Sequence, residues 1–181
     1  MRLVILDRDG VINEDSDAFI KNPEEWIPIP GSLEAIGKLH RADYRVVIAT
    51  NQSGLARGLF DYDMLTRIHD KMLHHVAEAG GVVEAIFFCP HGPTDGCKCR
   101  KPEPGMFEEI ATRLRMDLSG VPAIGDSLRD VDAARAVGAR PILVKTGKGQ
   151  RTVARQDGLS GVEVYDDLAM AVEVLLREKQ S

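Results

Sequence analysis

The chain has 181 residues, 44% of them hydrophobic and 28% charged, with a formal charge of −5, which bounds it to a single domain over 1–181 with a sizeable core. An acidic balance argues against a nucleic-acid partner, which would ask for a basic face. No apolar run approaches the roughly 20 residues of a membrane span, and Met1-Arg2 leads straight into a strand-like segment without a secretion-signal pattern. A cytoplasmic monomer with no membrane partner is therefore expected.

In chain order, strand-like segments fall at 3–6, 45–49, 85–88, 121–124, 141–144 and, weakly, 162–164. Between them lie helical patterns. Residues 32–42 put Leu33, Ile36 and Leu39 on one face, and 61–79 carries Met64, Ile68, Met72 and Val76 at i, i+4 spacing. Met106, Phe107, Ile110 and Leu114 make a third stripe, and Leu168, Ala171, Val172, Leu175 and Leu176 a fourth. Strand and helix alternating over the whole chain predict an α/β fold with a doubly wound parallel sheet. Two connections, 13–31 and 89–104, are too long for simple turns, and long loops in compact domains are usually functional.

The first segment, Leu3-Val4-Ile5-Leu6, runs into Asp7-Arg8-Asp9-Gly10. Four apolar residues in a row suit a strand covered on both faces. The ligand crevice of an open α/β sheet lies outside the carboxyl ends of its strands, so Asp7 and Asp9 are expected in it, with Gly10 turning the backbone away. Two carboxylates this close ask for a hard divalent cation, Mg²⁺ above all, which would also bind phosphate. Alone, an Asp-x-Asp-Gly is also an ordinary polar turn; what raises it is that Thr50-Asn51, Arg100-Lys101 and Gly125-Asp126-Ser127 stand at strand ends too. Arg8 is expected as a solvated side chain on the other face, and His40, His69, His74 and His75 as helix-face residues.

All three cysteines fall within eleven residues, Cys89-Pro90-His91-Gly92-Pro93-Thr94-Asp95-Gly96-Cys97-Lys98-Cys99. Cys89, His91, Cys97 and Cys99 make a complete tetrahedral ligand set for a structural Zn²⁺, whereas a disulfide would leave one thiol over. Pinning Cys97 and Cys99 would fix where Arg100 and Lys101 point.

Taken together, Asp7-Arg8-Asp9-Gly10, Thr50, Lys101 and Gly125-Asp126-Ser127-Leu128-Arg129-Asp130 resemble, in order, the four motifs of the haloacid-dehalogenase-like phosphatases. Within that superfamily, Thr50-Asn51-Gln52-Ser53-Gly54-Leu55-Ala56-Arg57-Gly58 and the cysteine loop through Pro102 are similar to the heptose 1,7-bisphosphate 7-phosphatases, and the same zinc loop occurs in the related histidinol-phosphate phosphatases. The resemblance implies a HAD-like Rossmannoid fold without a cap domain, and a Mg²⁺-dependent phosphatase acting on a small sugar phosphate, a heptose bisphosphate, in the route to bacterial surface polysaccharide. It makes Asp7 the nucleophile and Asp9 the general acid and base, with Asp7, the Asp9 carbonyl and Asp126 holding Mg²⁺ and with Thr50 and Lys101 on the phosphoryl oxygens. Substrate contacts are expected from Asp15, Asp17, Asn51, Gln52, Ser53, Arg57, Arg100 and Ser127. Asp130 stands behind the metal ligands, since Ser127-x-x-Asp130 is also a capping box. The Asp15-Ser16-Asp17-Ala18 turn lacks the aromatic residue often found there in relatives. A rival from another class is a zinc-stabilised binding module without catalysis, which would have no need of Asp7, Asp9, Lys101 and Asp126.

Overall fold

Alternation within the strands decides the layers. Leu3 and Ile5 of the first strand pack with Val47, Phe107, Ile110 and Ala134 on one side of the sheet, while Val4 and Leu6 pack with Ile36, Ile48, Ile68 and Val172 on the other, as a period of two requires. The computed structural model describes residues 2–179; Met1, Gln180 and Ser181, the ends of the expected domain, lie outside the described residues. The elements are β1 (Arg2–Leu6), α1 (Ser32–Arg41), β2 (Tyr44–Asn51), α2 (Tyr62–Glu78), β3 (Ala85–Cys89), α3 (Gly105–Leu114), β4 (Pro122–Gly125), α4 (Leu128–Ala136), β5 (Arg140–Val144), α5 (Gly149–Arg155), β6 (Glu163–Tyr165) and α6 (Leu168–Glu178). The six strands run parallel in the order β3-β2-β1-β4-β5-β6. Helices α1, α2 and α6 supply one outer layer and α3 and α4 the other. Each fully buried Val, Leu or Ile in these layers contributes about 1.5 to 3 kcal/mol. No helix among the described residues is long and apolar enough to cross a membrane.

The six expected strands and four expected helical stripes are present, and among the described residues two further α-helices and a short 3-10 turn at Pro23–Glu25 join them. The inner face of α4 consists of Val131, Ala133 and Ala134, too small a set to stand out as an apolar stripe, and α5 is only seven residues long. The 13–31 connection is packed: Asn13 bridges to Asp9 and Pro28, and Trp26 is fully buried.

Candidate active site

The strand order reverses between β1 and β4, the place where an open α/β sheet leaves a crevice, and there a cleft of about 320 Å³ opens. The chain ends that line it come from separate strands. Asp7 and Asp9 follow β1, Thr50 and Asn51 end β2, Arg100 and Lys101 follow the cysteine loop, and Asp126, Ser127 and Asp130 follow β4. Asp15, Asp17, Gln52, Ser53 and Arg57 also face the cleft. Thus every carboxylate, hydroxyl and cation expected at the site, apart from the cysteine ligands, lines one cavity.

Lys101 is its buried hub. Its Nζ lies 3.1 Å from Asp7 Oδ2, 2.6 Å from Asp130 Oδ1 and 2.7 Å from the Ala49 carbonyl, so three donors meet three acceptors. Burial alone would depress Lys101, but Asp130 and Asp7 outweigh it and raise its pKa. The backbone of Lys101 is held in turn by Asn51, whose Oδ1 accepts from Lys101 N and whose Nδ2 donates to Lys101 O, both at 3.0 Å.

Asp7 and Asp126 are undercompensated. Burial, opposed by Lys101 but helped by Asp130 and Asp9, pushes the Asp7 carboxyl up to about 7, and burial with the charges of Asp130 and Asp7 pushes Asp126 up to about 8. Carboxylate oxygens of Asp7, Asp126 and Asp130 lie within 4.8 Å of one another. Asp130 is engaged elsewhere: besides Lys101, its Oδ2 accepts from Ser127 N at 3.0 Å, Ser127 Oγ at 2.7 Å and Asp126 N at 3.2 Å, the carboxylate half of the capping arrangement. A hard divalent cation with oxygen ligands fits Asp7 and Asp126, since it would relieve the repulsion that raises both. Close approach of glycine backbone shapes this spot. Gly10 (φ 84°) and Gly147 (φ 57°) would place a Cβ 2.0 Å and 2.3 Å from Asp126 Oδ2, so neither tolerates a side chain.

Asp9 lives differently. Its Oδ1 accepts from Arg8 Nε at 3.0 Å and Asn13 Nδ2 at 2.9 Å, and its Oδ2 from Arg8 Nη2 at 3.1 Å and Gln52 Nε2 at 3.0 Å. Burial works against ionisation here, but the Arg8 charge and these hydrogen bonds outweigh it and hold the pKa below the usual carboxylate range. Gln52 Nε2 also donates to Thr50 Oγ1 at 3.0 Å, which leaves the threonine proton to donate. The expectation of a solvated Arg8 is wrong: the side chain is fully buried, because the bidentate pair with Asp9 satisfies its charge. His69 is on a helix face as expected, but on the buried one: it is 8% exposed and meets Arg8.

Three contributors escaped the sequence reading. Lys148 donates its backbone N–H to Asp126 Oδ2 at 2.7 Å and pairs through Nζ with Asp15 Oδ2 at 2.7 Å; Thr146-Gly147-Lys148-Gly149 after a strand was the available signal. Arg129 lines the cleft, and its charge, after burial, depresses Arg100, with Arg57 adding to it. Phe19 supplies the aromatic surface missing from 15–18. It holds φ at 68°, rare for a bulky residue, and carries the Arg57 guanidinium 5.4 Å from its ring centre. Asp17 is exposed and pairs with Arg151 at 3.2 Å.

The cysteine loop gathers its four side chains as expected. Cys89 Sγ is 3.5 Å from His91 Nδ1, 3.7 Å from Cys97 Sγ and 3.0 Å from Cys99 Sγ, and His91 Nδ1 is 3.3 Å from Cys99 Sγ. Zinc bonds of about 2.0 to 2.3 Å in a tetrahedron put ligands about 3.3 to 3.8 Å apart. Three of the four separations match, while the two sulfurs of Cys89 and Cys99, at 3.0 Å, would have to part by about 0.8 Å; the donor set fits Zn²⁺.

Comparison with known proteins gives the family. The HAD-hydrolase-like family matches residues 98–171, and the Polynucleotide kinase 3 phosphatase family matches residues 3–128. The chain is 61% identical over 178 residues to the D-glycero-beta-D-manno-heptose-1,7-bisphosphate 7-phosphatase of Bordetella bronchiseptica, covering 98% of this chain and 99% of that protein. It therefore belongs to the heptose-bisphosphate phosphatase family of the HAD superfamily. As a member, it is a phosphoric monoester hydrolase. A second family member, from Pseudomonas aeruginosa, is 53% identical over 175 residues, 97% of this chain and 98% of that one. The crystal structure of D,D-heptose 1,7-bisphosphate phosphatase from B. bronchiseptica complexed with magnesium and phosphate superposes with a TM-score of 0.96 at 62% identity, covering 98% and 99% of the two chains. That of Burkholderia thailandensis gives 0.78 at 45% identity, covering 97% and 99%.

Proposed function

We propose that the chain removes the 7-phosphate of D-glycero-β-D-manno-heptose 1,7-bisphosphate through an aspartyl-phosphate on Asp7, in the supply of bacterial surface-polysaccharide precursors. The observation that carries the reading is a division of positive charge. Lys101 is buried against Asp7, while Arg57, Arg100 and Arg129 crowd another part of the same cleft wall. A substrate with two phosphates uses both groups, whereas a monophosphate such as histidinol phosphate leaves the guanidinium trio without a partner.

Phosphoryl transfer is chiefly positioning and charge stabilisation. Asp7 Oδ1 accepts the Arg8 backbone N–H at 2.7 Å and Oδ2 faces Lys101, so the carboxylate is held for attack on phosphorus. Lys101 and the free proton of Thr50 bind the phosphoryl oxygens. Asp9 protonates the departing C7 oxygen and then takes a proton from the hydrolytic water; an arriving phosphate dianion raises its proton affinity, offsetting Arg8. Held by Asp7, Asp126 and the Asp9 carbonyl, Mg²⁺ supplies charge neutralisation between carboxylates and substrate. Cys89, His91, Cys97 and Cys99 would hold Zn²⁺, which would pin the loop that carries Arg100 and Lys101. Asn51, Ser127 and Asp130 support neighbours, while Gln52, Ser53, Asp15, Asp17, Arg57 and Arg100 border the sugar and the second phosphate.

The backbone at Arg100-Lys101 is a bend followed by a turn; what separates the two side chains is their partners. Arg100→Ala should lower kcat/KM for the heptose bisphosphate tenfold or more, as loss of a charge-assisted contact of roughly 1.5 to 3 kcal/mol implies, and barely change it for 4-nitrophenyl phosphate, while Lys101→Ala lowers both alike. Equal losses for Arg100→Ala, or release of the 1-phosphate, would refute the reading. Metal analysis of protein purified without chelator should give one zinc per chain.

A further inference from the structure

His69 does not line the cleft, yet it is one side chain removed from it. It lies on the inner face of α2, and its Nε2 is 3.1 Å from Arg8 Nη1. A guanidinium has donors only, so Nε2 accepts and the ring proton sits on Nδ1. Burial, then the Arg8 charge, holds the His69 pKa at about 3, which keeps the ring a neutral acceptor throughout the neutral range. The edge of the ring meets Phe88, centroids 6.4 Å apart, so its orientation is restrained from β3 as well.

The consequence is a chain of fixed planes. Arg8 grips both oxygens of Asp9 with Nε and Nη2, which fixes the guanidinium relative to the carboxylate and leaves Nη1 to tie the pair to a helix through His69. Asn13 and Gln52 hold one oxygen of Asp9 each, and the His69 bond adds a reference for the Arg8 fork that spans both; misplacement by an ångström costs heavily in proton transfer.

We infer that His69 is a positioning residue for protonation of the leaving oxygen, acting through Arg8 to set the orientation of the Asp9 carboxylate. The inference rests on Asp9 as general acid. It separates substrates by their leaving group: the C7 alkoxide of a sugar phosphate needs a proton, whereas 4-nitrophenolate departs without one. The readout is kcat/KM, which reports the steps up to departure of the leaving group and not the later hydrolysis of the aspartyl-phosphate.

His69→Phe keeps the ring shape against Phe88 and removes the acceptor; His69→Gln keeps an acceptor oxygen. The expected result is a loss of tenfold or more on the heptose bisphosphate for His69→Phe, a part of the roughly 10²- to 10⁴-fold that a general acid supplies, with 4-nitrophenyl phosphate within about twofold and with most of the loss recovered in His69→Gln. Asp9→Asn should show the same split, larger. Equal losses on both substrates for His69→Phe beside a split in Asp9→Asn overturn the inference and leave Asp9 as the acid; no split in Asp9→Asn overturns both. If His69→Phe does not fold, His69→Leu carries the same comparison.

Discussion

On the β4 side of the cleft, Asp7 and Asp126 face each other with too little positive charge between them, and both are pushed toward neutral pKa values. On the α2 side, Asp9 has four N–H donors on two oxygens and is held ionised. Asp7 and Asp9 are two residues apart, so the difference comes from what the fold packs against each. A group left short of charge is built to receive a cation and a dianion; a group already saturated is built to stay in place. Neighbouring titratable groups driven in opposite directions are a recurrent mark of divided roles in catalysis.

The largest expected effect breaks the comparison at its centre. Asp7→Asn removes the phosphoryl acceptor and one metal-ligand charge, and should lower kcat by at least about a thousandfold while the protein melts as cooperatively as before, because Lys101 keeps Asp130 and the Ala49 carbonyl. Steady-state phosphate release decides it; activity near that of the unaltered protein would remove Asp7 from the chemistry.

Next comes the metal and its pH dependence. Asp7 and Asp126 have native pKa values of about 7 and about 8 against 3.8 unperturbed. Between those values the native state binds protons that the unfolded chain does not, so their contribution to stability is full below about pH 4 and is lost as pH rises through 7 and 8. Mg²⁺ competes with those protons. At a hundred times its Kd it should raise Tm by about 5 to 10 °C at pH 8.5, and by clearly less at pH 6. A shift independent of pH would place the cation away from these carboxylates.

Much of the cleft was legible because strand ends are legible. Four apolar runs stop at Asp7, Thr50, Cys89 and Asp126, and a parallel sheet delivers its strand ends to one edge. The cysteine loop was legible because ligand type and number are visible in sequence. What stayed hidden depends on burial and on backbone. Arg8 looks like any exposed cation until Asp9 and His69 close around it, and Asn51 reads as a substrate contact until its amide is seen holding Lys101. Lys148 matters first through its N–H, which every residue but proline has, so only the glycines around it could have signalled it.

The smallest expected effect tests the saturated side through stability instead of turnover. His69 has a native pKa of about 3 against 6.5 unperturbed, because burial and the adjacent Arg8 charge oppose a second cation. As pH falls below 6.5 the unfolded chain takes up a proton at this position and the native state does not, so stability is lost with acid over the window from about 6.5 to 3. At 1.36 kcal/mol per pH unit this amounts to about 2 kcal/mol between pH 7 and pH 5. The direction is opposite to that of Asp7 and Asp126, whose contribution falls as pH rises. Denaturant unfolding at pH 7 and pH 5 should therefore show His69→Gln losing about 2 kcal/mol less than the unaltered protein over that interval, whatever its stability at pH 7. Identical losses would mean that His69 takes a proton in the native state too, and an imidazolium has no lone pair on Nε2 to offer Arg8.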